Sequence, residues 1–181
     1  MTQKIANAAL IIKMLRDAGY KSTSYAVAEL VDNSIEAQAK TIDIMLFEKD
    51  ITRVRTVTQV HEIAILDDGK GMQPAVLEKC LSFGWGTRLE GATGLGKFGF
   101  GLKGASISQA RRIEVYSWLD RGSVHMTYLD YDEIRENQLD DLPEVKTTTV
   151  PTKIVKALAQ NGRDLPESGT LVLWKNIDGL S

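Results

Sequence analysis

Three carboxylates and one amide share one face of a helix predicted between Tyr25 and Ala39. At about 100° per residue, their side chains fall within a stripe about 100° wide: Glu29, Asp32, Asn33 and Glu36. The predicted helix contains no Lys or Arg to balance them. A solvated acidic face would explain the stripe. A hard cation held together with a phosphate ester would explain it too, because Mg²⁺ favours a few protein oxygens plus phosphate and water.

A second candidate is the sequence DDGKGM, from Asp67 to Met72, which follows a predicted buried strand. Gly69 and Gly71 allow the backbone to turn sharply and to approach a ligand closely. If Asp67 points inward, its carboxylate must find hydrogen-bond donors, and the exocyclic amine of a purine is one such donor. An ordinary turn at the end of a strand explains the motif equally well on its own.

The strongest local signal is the glycine-rich sequence TGLGKFGFGLKGAS, at residues 93–106, which runs into a predicted helix. Backbone N–H groups exposed at a helix N-terminus bind anions such as phosphates. Gly96, Gly99 and Gly101 have the spacing GxxGxG, which differs from the dinucleotide fingerprint GxGxxG, and no GxxxxGK[ST] motif occurs. A flexible linker is the alternative, but apolar residues alternate with these glycines, which is unusual for a linker.

Composition limits the class of protein. The chain has 181 residues, 43% hydrophobic and 25% charged, and we expect one domain over residues 1–181 that buries roughly 70% of the surface of the unfolded chain. Cys80 is the single cysteine, so an internal disulfide is excluded. The net charge of −2 provides no overall basic surface for nucleic acid, although a local patch would suffice. With no secretory signal, we expect a cytoplasmic protein, or a nuclear one in a eukaryote, without membrane contact.

Hydrophobic periodicity predicts the elements that must position these motifs. An amphipathic helix precedes Gly19 and is followed by the acidic helix. The sequence further predicts strands at Thr41–Phe47 and His61–Asp68, a short helix from Pro74 to Leu81, a hairpin around residues 120–122, a helix at Pro151–Gln160 and a strand at Thr170–Ile177. Helices and strands therefore mix along the chain, which is typical of the α/β class.

The motifs stand in a specific order: ELVDNS, then DDGKG, then GKFGFG, then SGT before the last strand. Over residues 25–178 this order resembles the GHKL ATPases, the superfamily of DNA gyrase, Hsp-type chaperones, histidine kinases and MutL. Within it, LSFGWGTR and GKFGFGLKGAS most resemble the MORC-type ATPases, while ELVDNSIEAQAKTIDIML is also similar to MutL and type II topoisomerases.

The resemblance implies a Bergerat-type two-layer α/β sandwich, in which helices cover one face of a mixed, mainly antiparallel sheet and ATP lies between the layers. It assigns Glu29 as the general base that activates water, Asn33 as the Mg²⁺ ligand and Asp67 as the carboxylate that reads adenine. Asp32 and Glu36 would orient neighbouring groups and water.

The same resemblance implies further nucleotide contacts: Ala37, Gly69, Gly71, Met72, Gly96, Lys97, Phe98, Gly99, Phe100, Gly101, Lys103 and Thr170. Thr170 would support adenine recognition through Asp67 and water. Lys103 would contact phosphate, although a lysine on the helix surface fits its position equally well. Ser82–Leu95 would form a mobile lid over the nucleotide.

The function implied is Mg²⁺-dependent ATP binding and slow hydrolysis, coupled to lid ordering and to a nucleotide-dependent homodimer within a larger assembly. Related enzymes place a γ-phosphate-sensing lysine in a following domain, so we expect weak turnover from residues 1–181 alone. Two alternatives are a nucleotide-binding regulatory module and a histidine-kinase-like phosphotransfer domain. Against the latter, no helical pair with a phosphoacceptor histidine precedes the motifs.

Overall fold

The structure is a computed structural model that describes residues 7–19, 22–52, 56–82 and 101–178. The helices described are α1 (Ala8–Ala18), α2 (Thr23–Glu36), α3 (Pro74–Cys80), α4 (Gly101–Gln109), α5 (Tyr131–Asn137) and α6 (Thr152–Gln160). The strands are β1 (Ile42–Thr52), β2 (Thr56–Asp67), β3 (Ala110–Trp118), β4 (Val124–Asp130), β5 (Lys146–Thr148) and β6 (Gly169–Ile177). Within these ranges, no helix has the length and apolar character needed to cross a membrane.

The strands form one sheet in the order β1-β2-β6-β3-β4-β5, and every strand pair in the described ranges is antiparallel. The last strand, β6, lies between β2 and β3, and therefore joins the β1–β2 hairpin to the other three strands. The register pairs Thr170 with Asp67 on one side and with Ser117 on the other. Three polar residues thus lie side by side at one end of the central strands.

Successive side chains of the central strands point to opposite faces of the sheet. Apolar residues occupy both sets of positions, so both faces are apolar. On β2, Ile63 and Ile65 face the layer that contains α1, α2 and α4. Ala64 and Leu66 face the opposite side, which α6 covers with apolar residues such as Ile154. The expected α/β sandwich is confirmed, with two differences in detail: the described sheet is antiparallel throughout, and α6 lies on the second face.

Local signals fix the ends of the two helices that shape the site. Asn7 accepts the N–H of Ala9 at 2.8 Å and caps α1, and Gly19, with φ of 63°, ends that helix. Ser22 caps α2, which begins two residues earlier than the sequence predicts. The helix ends at Glu36, and Gln38, two residues later, has a φ of 64°. The chain then turns directly into β1.

Candidate nucleotide site

A cavity of about 320 Å³ lies between α2, the turn after β2, α4 and β6. This volume is at the lower end of the range typical of small-molecule sites. Its walls combine apolar and polar side chains from distant parts of the sequence: Leu30, Asn33, Ser34, Glu36, Ala37, Ile65, Asp67, Lys70, Gly71, Met72, Leu102, Thr170 and Val172. We call the part formed by Asp67, Gly71 and Thr170 the deep end.

Asp67 is the buried carboxylate of the deep end, with 6% of its surface exposed. Its Oδ1 accepts the backbone N–H groups of Gly69 at 2.9 Å and Thr170 at 3.2 Å, and its Oδ2 accepts the hydroxyl of Ser34 at 2.9 Å. A carboxylate has about four acceptor positions, so one position on Oδ2 is left for a ligand donor. Burial raises the pKa of Asp67, although the three hydrogen bonds oppose this shift.

The turn below Asp67 requires glycine at two positions. Gly71 has a φ of 68°, and a Cβ at this residue would lie 2.1 Å from the carbonyl oxygen of Trp118. A Cβ on Gly69 would lie 2.9 Å from the Cβ of Ala37, whose carbonyl accepts the N–H of Lys70 at 3.0 Å. The turn is therefore clamped between the end of α2 and the end of β3, which fixes the floor of the cavity.

A network around Ser117 orients Thr170. The hydroxyl of Ser117 accepts the N–H of Met72 at 2.8 Å and donates to the carbonyl of Gly169 at 3.0 Å. Because its single proton is used in that bond, the 2.9 Å contact with Thr170 requires the Thr170 hydroxyl to donate. The Thr170 oxygen then offers only acceptor positions, in the cavity that Asp67 also lines.

The other part of the site, which we call the open end, consists of Glu29, Asn33 and Gly101. Asn33 is exposed and lines the cavity, and Glu29 lies one turn earlier on α2. The Oε2 atom of Glu29 is 2.6 Å from the place that a Cβ on Gly101 would take, so this carboxylate lies against the first residue of α4. A helix N-terminus carries partial positive charge and stabilises anions.

The carboxylates of α2 at and near the open end carry negative charge that no described basic side chain balances. Among the described residues, no ion pair involves Glu29, Asp32 or Glu36. No cluster of three or more His, Cys, Asp or Glu able to hold a metal ion occurs in the same ranges. Asn33 presents an exposed amide to the cavity on the same helix face as these carboxylates.

Lys103 occupies a different environment from the one predicted. It is 3% exposed, so the interpretation as a lysine on the helix surface is wrong. Its Nζ donates to the carbonyl of Ser82 at 2.7 Å, beyond the end of α3, and it does not line the cavity. Burial lowers the pKa of its ammonium group.

Of the other predicted contacts, the structure gathers several around the cavity: Asn33, Ala37, Asp67, Gly71, Met72 and Thr170 line it, and Gly69 packs behind it. The predicted phosphate-loop residues Gly96, Lys97, Phe98, Gly99 and Phe100 lie outside the described residues. The predicted lid also lies outside them after Ser82.

Sequence reasoning missed three polar residues of the site. Ser34 is the last residue of ELVDNS and donates to Asp67, so its place in the motif was a usable signal. Ser168 donates to the carbonyl of Gly69 at 2.9 Å and stands in the SGT motif, to which no such role was given. Ser117 carries no local signal, because its role depends on the register between β3 and β6.

Comparison with known proteins agrees with this geometry. A family model described as "Histidine kinase-, DNA gyrase B-, and HSP90-like ATPase" matches residues 20–162. Protein MICRORCHIDIA 2 of Arabidopsis thaliana is 30% identical over 65% of this chain and 18% of its own length. ATPase MORC2 of Homo sapiens is 36% identical over 45% of this chain and 8% of its own length. The matches thus span less than a fifth of these relatives.

A solved structure, the N-terminal domain of a DNA repair protein, shares the fold. It superposes with a TM-score of 0.56 at 17% identity and covers 92% of this chain and 39% of that chain. The family match covers most of the residues that form the cavity. The order of the motifs in the sequence had already predicted membership of this family. The chain therefore belongs to the histidine kinase-, DNA gyrase B- and HSP90-like ATPase family, and it is similar to the MORC proteins within it.

Proposed function

We propose that this domain binds ATP in the cavity and hydrolyses it slowly with Mg²⁺. The observation that carries the proposal is the acceptor position that the described hydrogen bonds leave on the buried carboxylate of Asp67, in the cavity that Thr170 also lines. A buried carboxylate that faces a cavity is costly unless a donor completes its hydrogen bonds. The exocyclic amine of adenine is a donor of suitable size and shape.

The deep end would discriminate between purines. Oδ2 of Asp67 would accept a hydrogen bond from the amine of adenine, whereas guanine presents a carbonyl oxygen at the same position. Two acceptors would then face each other, which is unfavourable in a site without water. The apolar side chains of Leu30, Ile65 and Val172 would contact the base.

The open end would hold the phosphates and carry out the chemistry. Asn33 would bind Mg²⁺ through its amide oxygen, and the unpaired carboxylates of α2 fit a nearby cation. Mg²⁺ supplies charge neutralisation of the phosphate oxygens when it is bound. Glu29 would accept a proton from the attacking water while the bond between the γ-phosphorus and the bridging oxygen breaks and ADP leaves.

The remaining steps rest on the family resemblance. Gly96 to Phe100, together with the first turn of α4, would cradle the phosphates. Nucleotide binding would order the Ser82–Leu95 segment and promote a homodimer. Lys103 is buried and donates to the carbonyl of Ser82, so a phosphate contact from this residue would use another of the three N–H donors of its ammonium group.

Calorimetric titration with MgATP and MgGTP tests the proposal. We expect the wild-type chain to prefer ATP, and Asp67→Asn to weaken ATP binding by about 1 to 3 kcal/mol, because an amide matches the donor less well. Asp68→Asn is the control, since Asp68 accepts the N–H groups of Lys40 and Thr41 and does not line the cavity. Equal affinity for both nucleotides, or unchanged ATP binding in folded Asp67→Asn, would refute adenine recognition by Asp67.

A further inference from the structure

A second cavity, larger than the nucleotide site, lies between the start of α1, the end of α3 and the segment after α5. Its volume is about 520 Å³, and it shares no lining residue with the nucleotide cavity. A neighbouring cavity of about 220 Å³ shares Leu129, Leu139 and Leu142 with it, so the two cavities adjoin. We call the groove that contains the larger cavity the acidic cleft.

The floor of the acidic cleft is apolar. It is formed by Ile11, Ile12, Leu129, Ile134, Leu139 and Leu142. Ile12 and Leu129 belong to the main core, whereas Leu139 is 37% exposed at the edge of the cleft. Apolar surface at the base of a groove is available to apolar side chains of a partner.

The rim has the opposite character. Four acids, Glu78, Asp140, Asp141 and Glu144, line the cavity together with one base, Lys79. All four acids are exposed. Within the described ranges, Glu78, Asp141 and Glu144 take part in no ion pair, unlike most buried or half-buried acids of this domain.

The arrangement of these acids narrows the class of ligand. They do not converge on one point, since no metal-binding cluster occurs in the described ranges. Their negative charge disfavours nucleic acid and other phosphates. Charges spread along a groove with an apolar floor complement an amphipathic segment that alternates apolar and basic side chains.

We propose that the acidic cleft binds a basic amphipathic segment of a partner protein. Apolar side chains of that segment occupy the floor, and its Lys or Arg side chains pair with Asp141 and Glu144 on the rim. The apolar contacts provide most of the affinity, and the acidic rim selects the sign of charge and raises the association rate.

Fluorescence anisotropy with two designed peptides tests this. One is a labelled helical peptide with Leu at i, i+3, i+4 and i+7 and Lys elsewhere, and the other has Glu in place of Lys. We expect the 181-residue chain to bind the Leu/Lys peptide and not the Leu/Glu peptide. Asp141→Lys with Glu144→Lys should weaken binding on the order of ten-fold or more. Leu139→Ser should also weaken it, although it leaves the charge unchanged.

The control is the double variant Glu48→Lys with Asp164→Lys, which changes the net charge equally at exposed acids away from the cleft. It should bind like the wild type, and thermal melts should show that all variants fold. If the control loses as much binding to the Leu/Lys peptide as the cleft variant does, net charge alone explains the interaction and the proposal is overturned. Absence of binding to the Leu/Lys peptide, or self-association of the chain that the cleft variants abolish, would also overturn it.

Discussion

The two ends of the nucleotide site are built on different principles. At the deep end, Asp67 and Ser117 are buried, and the protein itself satisfies nearly all of their hydrogen-bonding capacity. At the open end, Asn33 is exposed and Glu29 has no described ion-pair partner. The deep end is therefore formed by the folded domain itself, whereas we expect the open end to need the proposed nucleotide and cation for its completion.

The largest effect is expected at the open end, on turnover. Glu29→Ala removes the proposed base and should lower the hydrolysis rate on the order of 10² to 10⁴-fold while ATP still binds. Single-turnover measurement of phosphate release checks this. Glu48→Ala, which removes an exposed acid of β1 that does not line the cavity, is the control and should retain the activity. Wild-type turnover in Glu29→Ala would show that the base is another residue.

The companion change at the open end is Asn33→Ala, which should weaken Mg²⁺-dependent ATP binding without altering the stability of the free protein. Calorimetric titration with ATP in the presence and absence of Mg²⁺ separates the Mg²⁺-dependent part of the affinity from the rest.

The deep end should respond through stability. Gly71→Ala combines an unfavourable positive φ with a contact of 2.1 Å to the Trp118 carbonyl, and should cost about 2 to 5 kcal/mol in the free energy of unfolding. Gly162→Ala is the matched control, because Gly162 has a φ of 67° and no atom within 4 Å of its added Cβ. Denaturant unfolding gives the loss of stability in each variant, and the difference between the two losses is the cost of the contact with the Trp118 carbonyl. Equal losses would mean that the backbone at Gly71 relaxes freely.

A smaller effect is expected at Ser117. Ser117→Ala leaves the N–H of Met72 without its acceptor and frees the Thr170 hydroxyl, which should cost about 1 to 3 kcal/mol of stability and weaken ATP binding. Ser106→Ala is the control, since Ser106 is fully buried and its hydroxyl has no hydrogen-bond partner among the described residues. This control should be neutral or stabilising. If Ser117→Ala behaves in the same way, the network does not support the deep end.

The smallest effect concerns pH. Because the folded protein raises the pKa of Asp67, protonation should weaken ATP binding at a higher pH than an ordinary aspartate would require. The folded state then binds this proton more tightly than the unfolded chain, so the contribution of Asp67 to stability increases as the pH falls through this range. Binding of ATP to the wild type and to Asp67→Asn, measured across pH, checks this. The protonation of ATP itself affects both affinities equally, so it cancels in their ratio. A ratio that does not change with pH would contradict the prediction.

The sequence predicted the motif-bearing elements well, because their signals are local. Helix α3 begins at Pro74, and α6 and β6 match their predicted ranges to within one residue. The β1–β2 hairpin extends further than predicted, because its outer half is exposed and lacks a continuous apolar pattern. Helix α5 was missed, although Asp130 accepts the N–H groups of Asp132 and Glu133 and is a readable cap.

The parts of the site that could not be predicted depend on tertiary structure. Lys103 is buried and donates to the carbonyl of Ser82, which lies 21 residues earlier, so its neighbours in sequence do not indicate its environment. Helix α6 connects the edge strand β5 to the central strand β6 and packs on the second face of the sheet. Amphipathic periodicity shows that a helix has an apolar face, but not which face of the sheet receives it.

The central position of β6 has a consequence for synthesis of the chain. Until residues 169–177 leave the ribosome, the β1–β2 hairpin and the β3–β4–β5 strands are two separate half-sheets, each with an open edge where β6 will insert. Open strand edges invite pairing with other chains, so a nascent polypeptide at this stage is vulnerable to aggregation. Insertion of β6 closes both of these edges at once and pairs Thr170 with Asp67. Folding of the sheet and assembly of the nucleotide pocket are therefore coupled through one strand.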